Sequence, residues 1–247
     1  MIIQPNWPVP AYVKAAITTR QGGVSHGCYQ SFNLAGHVGD QPQQVEQNRQ
    51  LLRQQLQLPN PPQWLNQVHG TTLVKAHADG QVRTADACFT EQAGVVCAVL
   101  TADCLPLLLF DRQQNKKNKI AAVHAGWRGL AADILANTLA QGGFSPEHTL
   151  VWLGPAIGPQ HYQVDNPVRQ CFIQQNHLLA AAFQAQPDKP GHWLADLYQI
   201  ATIQLNQLGV RQIYGGGYCT YSDPRFYSYR REGMTGRMAS LIWLNAK

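Results

Sequence analysis

The sequence predicts a layered α+β domain with mixed β-sheets. Three observations carry this. Short apolar runs bounded by turn residues recur along the chain and read as buried strands. Helical spacing is confined to a few segments. Strands and helices do not alternate strictly, so a purely parallel βαβ array is not expected. The 247 residues are read as one domain spanning 1–247, since layered domains of this size are often single.

The elements follow in order. Ala11–Thr19 reads as a strand and Gln21–Gly27 as a glycine-rich loop. Asp40-Gln41-Pro42 is a helix-start signal, and Leu51, Leu52, Leu56 and Leu58 share roughly one face of the helix that follows. Pro59 stops it. Trp64–His69 and Thr71–His77 read as strands, and Asp86–Thr90 leads into the central stretch. The central stretch from Gly94 to Gly129 has apolar runs at Val95–Leu100, Leu105–Phe110 and Ile120–Val123, with a polar turn at Gln113–Lys119. Helices are expected at Leu130–Gln141, Pro167–Phe183 and Asp196–Leu208, the last closed by Gly209. Strands are expected at Thr149–Leu153, Arg211–Tyr214, Phe226–Glu232 and Met238–Leu244.

Composition narrows the class. Charged residues make up 13% of the chain and the net charge is +5, which suits anionic small molecules at least as well as nucleic acid. The six cysteines show no C-x-x-C. The N-terminal segment lacks the basic start and apolar core of a signal peptide, and Asp103 interrupts an apolar block too short to span a membrane. A cytoplasmic protein with reduced thiols and no membrane partner is expected. Nothing in the sequence sets an oligomeric state.

Chemistry-bearing residues gather at strand ends. His69, Cys104 and His124 each follow a strand-like run beside a glycine or turn. Two imidazoles and a thiolate suit Zn²⁺ with one open position, where bound water becomes a nucleophile near neutral pH. A Cys–His nucleophile pair, or a buried cysteine with two satisfied histidines, explains the same residues. Separations of 35 and 20 residues do not choose among the three. Asp103 reads as an orienter of a ligating histidine, a general base or a turn cap. Arg49, Arg128, Arg230, Arg231 and Arg237 are candidate anion binders, with Arg211 and Arg231 better suited to ordinary surface pairing. Phe226–Arg231 interleaves aromatics with arginines, as a base-stacking surface or an alternating strand would. Cys88, Cys97 and Cys171 are expected in the core.

Together these motifs resemble a known family. The blocks are Ser31-x-Asn33-Leu34-x-x-His37-Val38-Gly39-Asp40 with Asn48-Arg49, Asn66–Gly70, Asp86-Ala87, Thr101–Pro106, Ala122–Gly129, Gly154–Gly158, and Phe226–Arg231 through Arg237. They are similar to the YfiH/YlmD laccase-domain family, described both as polyphenol oxidase and as purine nucleoside phosphorylase. Cys28-Tyr29 departs from the Pro-Tyr of many members. The resemblance implies a four-layer α/β/β/α fold and a metal site at His69, Cys104 and His124, holding Zn²⁺ with Cu²⁺ as the other candidate. It implies phosphorolysis of adenosine, inosine and methylthioadenosine, with adenosine deamination as a second activity. Nucleosides and phosphate are then the partners, not nucleic acid. Asn33, His37, Arg49, Arg128, Tyr229 and Arg230 are the candidate substrate binders, and Asp103 joins the three ligands as a catalytic candidate. Rival readings are an amide hydrolase, by metal or by Cys104, acting on UDP-muramoyl peptidoglycan precursors, and a copper polyphenol oxidase. The nine histidines form no H-x-H pair, which speaks against a multicopper cluster.

Overall fold

The computed structural model describes residues 2–112 and 118–245. Most of the polar turn expected at Gln113–Lys119 lies outside them. The fold is α+β with mixed sheets. A six-stranded sheet runs in the order Gln212–Gly215, Thr149–Leu153, Leu105–Asp111, Lys119–Ala125, Ala87–Thr90, Leu73–Lys75. Its outermost pair at each edge is parallel and the inner pairs are antiparallel. A four-stranded antiparallel sheet runs Ile2–Ile3, Val13–Thr18, Met238–Leu244, Val96–Thr101.

Side-chain alternation decides the layering. One face of the large sheet presents Cys88, Leu108, Phe110, Ala122 and Trp152 to Ile17, Cys97, Val99 and Ile242 of the small one. The other face, with Leu105, Leu107, Leu109 and Val123, packs on helical Leu130, Leu135, Ile200 and Leu205. The outer face of the small sheet, Ala98, Leu100 and Leu241, is covered by Phe32, Leu34 and helical Leu52. Both sheets are thus buried on both faces, so their strands read as continuous apolar runs, and the layers stack helix, sheet, sheet, helix.

Several expected elements differ. The helix expected over Leu130–Gln141 is two, Trp127–Ala131 and Ile134–Gly142, because Asp133 between them is left-handed (φ 63°). Pro167–Phe183 is a helix only at Asn166–Ile173. It continues as a tighter turn at His177–Ala182 and a strand at Phe183–Ala185. Phe226–Glu232 is not a strand. It is an irregular segment leading into a one-turn helix, Tyr229–Glu232, capped by the Ser228 hydroxyl. Trp64–His69 is a strand only at Leu65–Asn66. Cys171 is exposed, whereas Cys88 and Cys97 are buried. Among the described residues no helix is long and apolar enough to cross a membrane.

Candidate active site

Strand register assembles the site. Leu105 pairs with Ala125 in the antiparallel hairpin, so Cys104, one residue earlier, lies against Gly126. Ala87 pairs with Val123 on the other side of that strand, which brings Asp86 beside His124. His69 arrives from a turn, held at φ 59°. The ligand atoms of His69, Cys104 and His124 lie within 4.8 Å of one another, with Cys104 Sγ 3.9 Å from His69 Nε2. A Cβ at Gly126 would meet Cys104 Sγ at 3.0 Å and His69 Cδ2 at 3.1 Å. Glycine is what lets the three approach.

Asp86, to which the sequence reading gave no role, fastens two of them. Its carboxylate accepts from His124 Nδ1 at 2.8 Å and from the N–H groups of Val68, His69 and Gly70. Nδ1 of His124 therefore carries a hydrogen and Nε2 faces Cys104. Burial pushes the Asp86 carboxyl up, but these donors outweigh it and hold it below its ordinary value. Burial likewise raises the Cys104 thiol, and the facing His124 and His69 overcome this and bring it down to about 6. His124 is pushed down by burial and up more strongly by Cys104 and Asp86, to about 9. The two shifts, each caused by the other group, favour negative charge on the sulfur, and a divalent cation at these ligands would take the place of a proton. One thiolate and two imidazoles, one oriented by a carboxylate, fit Zn²⁺ or Cu²⁺.

Asp103 occupies another left-handed position (φ 86°) and is nearly buried. Its two oxygens accept from Thr220 Oγ1 at 2.6 Å and from Arg230 N at 2.7 Å. The side chain ties the one-turn helix to the cavity floor.

The group opens into a cavity of about 400 Å³ that His37, Trp127, Arg128, Tyr162, Tyr229, Arg230 and Arg237 also line. Arg128 lies over the Trp127 ring at 4.6 Å, and its five-residue helix is too short to add much dipole to the charge of the guanidinium. Arg230 Nη1 donates to the Gln163 carbonyl and Arg237 Nη1 to those of Thr235 and Gly236. Burial, then Arg237 and Arg49, lower the His37 imidazole. Burial raises the Tyr162 phenol well above its ordinary range. Asn33 and Arg49 are placed elsewhere. Asn33 is buried and bonded to Asp40, Ala35 and the Arg237 N–H. Arg49 donates to the Leu34 carbonyl and stacks on Trp64. Arg231 is anchored too, on the carbonyls of Thr220, Tyr221 and Phe226. Tyr162 and Trp127 were missed as lining residues, because only the tertiary packing of their segments shows which way they point.

A family model described as multi-copper polyphenol oxidoreductase laccase matches residues 14–245. The chain belongs to this family. It is 47% identical over 243 residues to a protein named purine nucleoside phosphorylase from Pseudomonas aeruginosa, covering 98% of each chain. It is 46% identical over 245 residues to purine nucleoside phosphorylase YfiH of Escherichia coli, again covering 98% of each. A Neisseria meningitidis crystal structure is similar at TM-score 0.93 and 46% identity, covering 99% of both chains. YlmD of Geobacillus stearothermophilus is similar at TM-score 0.83 and 30% identity, covering 96% of this chain and 93% of that one. The match to the laccase-domain family therefore covers residues 14–245.

Proposed function

We propose that this laccase-domain protein is a zinc-dependent purine nucleoside phosphorylase acting on adenosine, inosine and methylthioadenosine, with adenosine deamination as a second activity. One observation carries the reading. A single cavity sets His69, Cys104 and His124 beside Arg128, Arg230 and Arg237, with the rings of Trp127, Tyr162 and Tyr229 in its walls. Phosphate asks for guanidinium forks, a purine asks for flat faces, and the ribose has to lie between them. The purine nucleoside phosphorylase names of the relatives agree with this.

His69, Cys104 and His124 would hold Zn²⁺, with Cu²⁺ the alternative, and the cation supplies Lewis acidity toward an oxygen. The protein's own groups do the rest. Arg128 clamps phosphate near the ribose anomeric carbon, with Arg230 and Arg237 adding positive charge. Tyr229, which is exposed, stacks on the departing base. Asp103 positions Arg230 through its backbone N–H. The six unpaired cysteines fit a reducing compartment, and we place the enzyme in the cytoplasm.

A multicopper oxidase is a poorer fit, because among the described residues only this one group of three metal-type ligands occurs. An amide hydrolase is the rival that an observation favours, since a thiol at about 6 beside His124 suits a nucleophile. The test supplies nucleosides with phosphate, reads product masses and measures metal on the same batch. Phosphate-dependent release of free base is expected. Arg128→Lys keeps the charge and loses the fork, so the apparent KM for phosphate should rise about tenfold while adenosine deamination suffers less. Equal loss of both would make Arg128 a nucleoside or structural residue. No phosphorolysis in the unmutated protein would favour the hydrolase.

A further inference from the structure

A second cavity, of about 580 Å³, lies between the loop Gly158–His161 and the segment Gly215–Ser222, with Asp196 and Tyr198 across it. It shares no lining residue with the first. On its wall Cys219 Sγ lies 3.5 Å from His161 Nδ1, and the His161 ring is stacked on Tyr221 at 4.6 Å between centroids. The Gly158 N–H donates to the sulfur at 3.3 Å. Gly158 packs closely on the cysteine, since a Cβ there would meet Cys219 Cβ at 3.0 Å and Sγ at 3.1 Å. A donor, an imidazole and an accessible volume thus converge on one sulfur that the proposed reaction does not use.

We propose that Cys219, with His161 as its proton acceptor, is a reactive thiol that undergoes exchange with low-molecular-weight disulfides entering this second cavity. The volume lies within the range of small-molecule sites and suits a peptide-sized thiol. All six cysteines are unpaired, so the disulfide comes from outside the chain. The Cys219 sulfur attacks one sulfur of that disulfide. A new S–S bond forms as the old one breaks, and the other half leaves as a thiolate. The proton given up by Cys219 rests on His161 and passes to the leaving thiolate. One disulfide is consumed, and one mixed disulfide and one thiol are made, with no further oxidant. Geometry and acidity agree: burial raises the Cys219 thiol, but hydrogen bonds from Ser222, Gly158 and Tyr221 outweigh it and leave the thiol below its ordinary value.

The chain supplies its own controls, because Cys28 and Cys171 are more exposed than Cys219. The full-length protein is treated with iodoacetamide at neutral pH and labelling is followed peptide by peptide. Cys104, which belongs to the first site, is scored separately. Cys219 should react about tenfold faster than Cys28 or Cys171, because the thiolate is the nucleophile. Glutathione disulfide should add one glutathione at Cys219, removable by dithiothreitol. His161→Ala should slow both reactions toward the rate of Cys28. The rate of native Cys219 should also reach half its maximum at lower pH than that of Cys28, a comparison that needs no variant to fold. Asp196, Tyr198, Tyr214 and Tyr218 also face the cavity, and burial pushes the Tyr198 phenol up. Labelling of Cys219 no faster than Cys28, or pH profiles that coincide, would overturn the proposal.

Discussion

A single carboxylate, Asp86, accepts from an imidazole and three successive backbone N–H groups. It sets the ring of one candidate ligand and the backbone of another. Asp86→Asn would turn an amide NH₂ toward N–H groups that need an acceptor, so at least one buried donor is left unpaired, at roughly 1–3 kcal/mol. Because His124 also loses its anionic partner, metal affinity should fall about 10- to 100-fold. Competition with a chromogenic chelator measures this, and unchanged affinity would remove Asp86 from the site. Cys104→Ser should lower metal occupancy and turnover together. Full occupancy with lost turnover would make Cys104 a covalent nucleophile instead.

At the scale of elements, the hairpin explains what could be read in advance. Cys104 and His124 are far apart in the chain because the strand Leu105–Asp111 and most of Lys119–Ala125 lie between them. The apolar runs with the turn residues and glycines beside them marked both strand ends, and the register of the two strands places Cys104 against Gly126. His69 was read as the end of a strand, but the strand stops at Asn66, and His69 reaches the site from a left-handed turn that residue type alone does not reveal. Asp133 hid the helix break for the same reason, since apolar spacing runs on through it. The Phe226–Arg231 alternation imitated a strand, yet Ser228 capping and the Asp103–Arg230 bond wind it into a turn of helix. Gly126→Ala tests the hairpin's part in the site. The added methyl presses on Cys104 Sγ and His69 at a position whose φ of −70° alanine accepts. Thermal stability should change little while metal affinity drops about tenfold, read by chelator competition alongside calorimetry. A parallel fall in both would make Gly126 a folding residue.

At the scale of the whole molecule, the two ends of the chain form one unit. Val13–Thr18 pairs with Met238–Leu244 in the small sheet, and just beyond it Arg20 bonds Glu232, more than two hundred residues away. Glu232 also accepts from Thr235 and Arg231, so one carboxylate joins the first long strand to the segment that carries Tyr229 and Arg230 into the cavity. Burial raises this carboxyl, and Thr235, Arg20 and Arg231 outweigh it, leaving it below its ordinary 4.5. A group depressed in the folded state contributes stability above its unfolded value and loses it as pH falls through the folded one. Glu232→Gln should therefore lower Tm at pH 7 by about 2–4 °C, the effect of roughly 1 kcal/mol in a chain of this size, with solvent screening keeping it from being larger. The gap between the two proteins should stay constant down to about pH 5 and close below 4.5. Other carboxylates titrate in both proteins and cancel in the difference. A gap that persists at low pH would mean that Glu232 holds the chain ends together by shape and neutral hydrogen bonds, not by charge.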